Sequence, residues 1–202
     1  KRERTRRNAR WVAAAGEEVR STGSKVEVGF NWAHESSKAR QRSFWKDVAA
    51  AAGPDFAGSV DWVGLNSYPG TWSPLQRGLR SRSARAGRTL VNHLVTLRRE
   101  LMPIAGLGRG VSIEVAETGW PTGPGRSAPS QAAILNGMVG AVARSARTLN
   151  VTDFRWFDLR DSNSADPNFE GRYGLTGDAY EPKPAYFAYR RAIQRWGRNA
   201  GN

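Results

Sequence analysis

The sequence predicts an α/β fold in which four parallel strands alternate with helices, arranged as in a barrel rather than a doubly wound sheet. Three observations predict it. Hydrophobic spacing switches between helical and extended periods in the order αβαβαβαβα along 202 residues, and strict alternation implies parallel strands with right-handed crossovers. No Gly-x-Gly-x-x-Gly follows a strand and no Gly-x-x-x-x-Gly-Lys-Ser/Thr occurs, so the two marks of a nucleotide-binding doubly wound sheet are missing. Each strand also ends in polar or aromatic residues: Asn31-Trp32, Asn66-Ser67-Tyr68, Glu117, and Asp158 with Arg160-Asp161. That is the rim where barrels carry their loops.

The elements follow in order. Residues 4–21 place Trp11, Val12, Ala15 and Val19 at helical spacing and stop before Thr22-Gly23, and 25–32 read as a strand. Ser37 is placed to cap a helix to about residue 52, which Gly53-Pro54 ends, and 60–68 form a second strand that breaks at Pro69-Gly70. A polar loop rich in arginine over 77–88 leads to a helix capped by Thr89 and ended by Pro103. A third strand spans 111–117, a helix 130–149, a fourth strand 153–159 and a closing helix 183–198.

Composition sets the bounds. A chain with 39% hydrophobic residues can bury one sizeable core. No stretch approaches the ~18 to 20 apolar residues of a membrane span, so no membrane contact is expected. Zero cysteines exclude disulfides and thiolate metal sites without fixing a compartment, and an extracellular one stays open. The net charge of +13 would attract polyanions, but its arginines are not interleaved with stacking aromatics. A weak polyanion contact through a solvated basic surface is the expectation.

Residues 111–121, Val-Ser-Ile-Glu-Val-Ala-Glu-Thr-Gly-Trp-Pro, carry most of the functional signal. A carboxylate at the carboxyl end of a buried strand, with an aromatic beside it, suits glycosidic-bond chemistry. Here the chain resembles the clan-A retaining glycoside hydrolases. Their TIM-barrel-type fold places an acid/base glutamate after strand four and a nucleophilic glutamate after strand seven. The match runs over residues 25–189 and is similar to strands five to eight of such a barrel, a half barrel or barrel fragment. The clan's Asn-Glu-Pro segment does not occur.

The resemblance implies retaining hydrolysis of β-linked poly- or oligosaccharides. It implies Glu117 as nucleophile, Tyr68 as its hydrogen-bond donor and Trp156 as the floor of the sugar subsite. Trp120, Asn31, Trp32 and Asn66 are further candidates for substrate contact, and Asn66 stands where many clan members have histidine. No cofactor and no metal are implied. With only one of the two carboxylates present, the expectation is a single (β/α) domain that lacks the amino-terminal half supplying the general acid. The start at Lys1 is read the same way.

Other residues receive structural readings. Alternation places Glu114 on the face opposite Glu117, toward the helices, where Arg155 could pair with it. His34, Glu35 and His93 read as surface or supporting residues. Asp158, Asp161 and Asp166 have no metal-binding spacing. Trp72 joins the tryptophans able to stack on sugar C–H faces. The alternative functions are a non-catalytic carbohydrate- or polyanion-binding module on the same scaffold, and a doubly wound hydrolase for which no Gly-x-Ser-x-Gly is present.

Overall fold

The computed structural model describes residues 2–72 and 78–197. Its elements are α1 (Arg2–Ser21), β1 (Gly29–Ala33), α2 (Lys38–Ala52), β2 (Trp62–Asn66), α3 (Leu79–Thr96), β3 (Ser112–Thr118), α4 (Ala128–Leu149), β4 (Val151–Trp156) and α5 (Pro184–Trp196). The four strands are parallel and lie in one sheet in the order β1-β2-β3-β4. A doubly wound sheet reverses its order at a switch point, and this one does not. The predicted α/β class and (β/α) repeat are therefore the observed ones. By contacts, the described residues form two compact units: those within 1–66, 92–116 and 148–153, and those within 67–91, 117–147 and 154–202.

In the first unit, Ser37 caps α2 as its position predicts, accepting from the Arg40 N–H at 3.4 Å. Phe30 and Trp32 of β1 turn toward α2, with ring centroids 5.8 and 6.1 Å from that of Trp45. Trp32, read from its place at a strand end as a candidate for sugar contact, is 4% exposed and packs in the core beside α2. Asn31, between them, points the other way and lies against the bare backbone of Gly64, which Ala116 also flanks. Arg2 and Arg6 of α1 both bind the buried Asp47 of α2, at 3.1 and 3.2 Å.

Two expectations fail here. Glu114 shares the side of Ala116, two residues on, while Ile113 and Val115 are fully buried on the opposite side. Glu114 therefore faces the Asn31–Gly64 side of the sheet and not the helix layer. The cause is a change in alternation within β3: Ala116 flanks Gly64, yet Thr118 reaches Met138 Sδ of α4 at 3.5 Å. The second failure is the helix start at Thr89. The α3 helix already begins at Leu79, so the arginines at 82, 85 and 88 sit on a helix, while Arg77 lies outside the described residues. After Thr96 the helix continues through a π turn (Leu97–Leu101) and a 3-10 turn (Met102–Ala105).

Within that π turn Arg98, 8% exposed, donates to the carbonyl oxygens of Leu149, Gly108 and Val111 at 2.9, 3.0 and 2.8 Å. One guanidinium thus satisfies three carbonyls around the start of β3, a task its planar fork of donors suits.

In the second unit α3 and α4 cross closely. A Cβ at Gly87 would lie 2.5 Å from the Gly137 carbonyl oxygen, and one at Gly137 would lie 2.3 Å from Ser83 Oγ. Ser83 itself donates to the Ala133 carbonyl at 2.7 Å. The closing helix buries Ala185, Ala188 and Ala192, and Tyr189 donates to the Phe154 carbonyl at 2.7 Å. Ahead of it, Lys183 pairs with the 1%-exposed Asp161 at 2.7 Å. Arg126 has its guanidinium between the rings of Trp120 and Phe169, 4.6 and 4.5 Å from their centroids.

Candidate active site

Glu117 occupies the next-to-last position of β3, and its carbonyl accepts from the Ser67 N–H at 2.8 Å. That hydrogen bond brings the end of β3 beside the residues that follow β2. Tyr68, next in the chain, then donates its hydroxyl to Glu117 Oε2 at 3.0 Å. Both side chains are half-buried. Burial first, and the neighbouring Glu117 carboxylate second, raise the Tyr68 pKa well above that of an ordinary phenol. Tyr68 therefore keeps its proton and acts as a donor, which fixes one carboxylate oxygen and leaves Oε1 for other work.

Around this pair stands an aromatic wall. The Tyr68 ring meets Trp72, Phe157 and Tyr173 edge-on, at centroid distances of 5.9, 6.2 and 5.6 Å, and Phe157 meets Tyr173 at 5.7 Å. Trp72 is 65% and Phe157 42% exposed, so both offer ring area to solvent. Tyr173 is buried, which pushes its hydroxyl up to about 12. Phe157 is held by its own backbone N–H, which donates to the Thr118 carbonyl at 2.7 Å. The turn at Gly119 admits no side chain, because a Cβ there would lie 2.3 Å from the Phe157 carbonyl oxygen and 3.0 Å from the Tyr173 ring.

Of the candidates read from the sequence, the structure brings together Glu117 and Tyr68. Trp156 takes another position: it is 7% exposed and its Nε1 donates to the Tyr173 carbonyl at 3.4 Å. The ring next to Tyr68 is that of Phe157, one residue on and on the opposite side of the strand. Trp120 is 3% exposed, with its ring beneath Arg126, and Gln131 donates to its carbonyl at 2.9 Å. Asn31 is exposed on β1, and the Oδ1 of Asn66 is buried without a hydrogen-bond partner. Phe157 and Tyr173 went unrecognised in the sequence. Alternation along 153–159 could have identified Phe157, but nothing local marks Tyr173.

No group of three or more metal-ligating side chains occurs among the described residues, and none of their helices is long and apolar enough to cross a membrane. Asp161, one of the aspartates considered, is committed to Lys183 and to the Gly174 N–H at 2.7 Å.

No family model matches the chain, and no curated protein sequence matches it. Solved structures do resemble it. A β-1,3-glucanosyltransferase from Rhizomucor miehei aligns with a TM-score of 0.52 and 19% identity, over 90% of this chain and 56% of its own. A GH2 β-galacturonidase from Eisenbergiella tayi gives 0.52 and 14%, over 85% and 34%. A β-glucuronidase from an uncultured Clostridium gives 0.53 and 17%, over 93% and 35%. The fold is glycoside hydrolase-like. At these identities the likeness is one of fold, and the chain spans between about a third and just over half the length of those proteins.

Proposed function

We propose that the protein is part of a retaining O-glycosyl hydrolase acting on β-linked poly- or oligosaccharides, with Glu117 as its nucleophile. The observation that carries this reading is the 3.0 Å hydrogen bond from Tyr68 to Glu117 Oε2 beside the exposed rings of Trp72 and Phe157. Glu117 attacks the anomeric carbon as the bond to the leaving oxygen breaks; a proton donor from the part of the barrel outside these 202 residues protonates that oxygen. Water then cleaves the glycosyl ester and releases the sugar with retained configuration. Tyr68 aims the carboxylate, and the exposed rings take the C–H faces of the sugar. The 202 residues act as one (β/α) domain contributing the nucleophile side of the site.

An aryl 2-fluoroglycoside with an activated leaving group tests this, because such a substrate needs little protonation and reports on the nucleophile alone. Incubated with the full chain in β-gluco, β-manno and β-glucurono forms, at least one should add one glycosyl mass to the peptide containing Glu117, and Glu117→Gln should abolish the label. A label on another residue, or labelling unaffected by the substitution, would overturn the assignment.

A second reading, a non-catalytic carbohydrate- or polyanion-binding module, is favoured by the exposed arginines Arg4, Arg7 and Arg10 on α1 and Arg85 and Arg88 on α3. Binding to a polyanion that weakens steeply as salt is added would support it over the sugar cleft.

A further inference from the structure

The chain contains two histidines, and they are stacked on each other. His34 directly follows β1 and His93 lies on α3, and their rings sit 3.5 Å apart between centroids with planes at 14°. Face-to-face packing at that distance suits two neutral imidazoles, whereas two imidazolium rings so placed repel each other directly. We propose that His34 and His93 form an acid-opened clasp between the segment after β1 and helix α3, held while the rings are neutral and parted as they take up protons.

The surroundings favour neutral rings. Trp32 presents an edge contact to His34 at 6.1 Å and 72°. Gln41 of α2 brings Nε2 to 3.5 Å from His34 Nε2 while donating to the Glu35 carbonyl. Glu35 is the acidic group facing His34 and favours its cation, but its carboxylate also pairs with Arg40 at 3.6 Å. His34 in turn acts on His93, and a charge on it disfavours the His93 cation. Burial lowers both imidazoles, and His34 adds a second lowering to His93, which is brought down to about 4.

The sign follows from linkage. Because the folded-state values are depressed, the clasp's stabilisation is fully present above the ordinary imidazole pKa of about 6.5. It is lost as pH falls from there toward about 4. The His34 backbone N–H donates to the Asn66 carbonyl at 2.9 Å, so the strand end stays anchored while the ring swings. Room for that swing exists in a cavity of about 350 Å³ that His34 lines together with Trp32, Glu35, Gln41, Phe44 and Asp47.

With two histidines in the full chain, NMR resolves the test directly. The ring Cε1–H signals are followed from pH 8 to pH 3.5, alongside the backbone amide spectrum. Both midpoints are expected below 6.5, with His93 near 4. The mutual ring-current shift should vanish in the same step, while the remaining amides keep their dispersion. A midpoint at 6.5 or above, a ring-current shift that survives protonation, or loss of the whole amide spectrum in that step would each overturn the clasp.

Melting of the double variant H34F/H93F supplies a second measurement, since phenyl rings stack without binding protons. Wild type should lose more of its Tm than this variant between pH 7 and pH 4, and equal losses would also overturn the proposal. If the variant does not fold, the wild-type titration decides alone.

Discussion

Tyr68 and Glu117 reach one another from the ends of adjacent strands, the phenol donating to Oε2 at 3.0 Å. A hydrogen bond to a charged acceptor is worth roughly 1.5 to 3 kcal/mol, so Tyr68→Phe should slow fluoroglycoside labelling about 10- to 100-fold. The melting temperature should fall by only several degrees, since the aromatic packing is kept. Because the Tyr68 pKa is raised, wild-type labelling should show no alkaline loss assignable to Tyr68 below about pH 10. A labelling rate unchanged in Tyr68→Phe would remove Tyr68 from the site.

Phe157 and Trp156 should separate function from stability. Phe157→Ala removes a 42%-exposed ring beside Tyr68 and should weaken oligosaccharide binding, measured by calorimetry, with a small change in melting. Trp156→Ala opens a cavity in the core and should cost about 3 to 5 kcal/mol in denaturant unfolding. The reverse pattern would mean that Trp156 is the sugar-contacting ring.

Gly119→Ala forces a methyl group to within 2.3 Å of the Phe157 carbonyl oxygen and 3.3 Å of the Tyr68 ring. Backbone has to move, and overpacking of this kind costs about 1 to 3 kcal/mol. Labelling of Glu117 should fall with it, because the displaced groups are those that flank the carboxylate. Retention of both stability and labelling rate would show that the turn is less constrained than these distances imply.

Arg98→Met keeps much of the side-chain volume but strands the carbonyls of Leu149, Gly108 and Val111. Leaving a buried acceptor unpaired costs about 1 to 3 kcal/mol, and Leu149 and Val111 are buried while Gly108 is exposed, so a loss of roughly 3 kcal/mol in urea unfolding is expected from those two. Arg98→Lys should recover only part of that, since an ammonium lacks the planar fork. Full recovery by lysine would mean that charge, and not geometry, is what the three carbonyls need.

The alternation of helices and strands was legible because it rests on hydrophobic spacing, and Ser37 marked the start of α2 through its own cap. The start of α3 was not. Serines and Gly87 in its first turns read as loop, yet the glycine is there because α4 passes too close for a side chain. That is a tertiary demand with no local trace. The Glu114 face was lost for a similar reason: period-two counting assumes an unbroken pleat, and β3 changes its alternation between Ala116 and Thr118. Glu117 and Tyr68 could be paired on paper because both end a strand, whereas Tyr173 comes from a late loop that no spacing rule connects to them.

Arg126 has a consequence of its own. Its partners are two rings and the Thr71 carbonyl, so the turn after Trp120 is fastened by a charge resting on π-electron faces and a backbone oxygen instead of a carboxylate. Neither ring titrates, and a guanidinium keeps its proton at any pH a protein survives. Counterions cannot easily reach a group that is 8% exposed. That fastening should therefore outlast the carboxylate pairs of the surface in sour or briny media, keeping the segment beside Glu117 in place after the periphery has loosened.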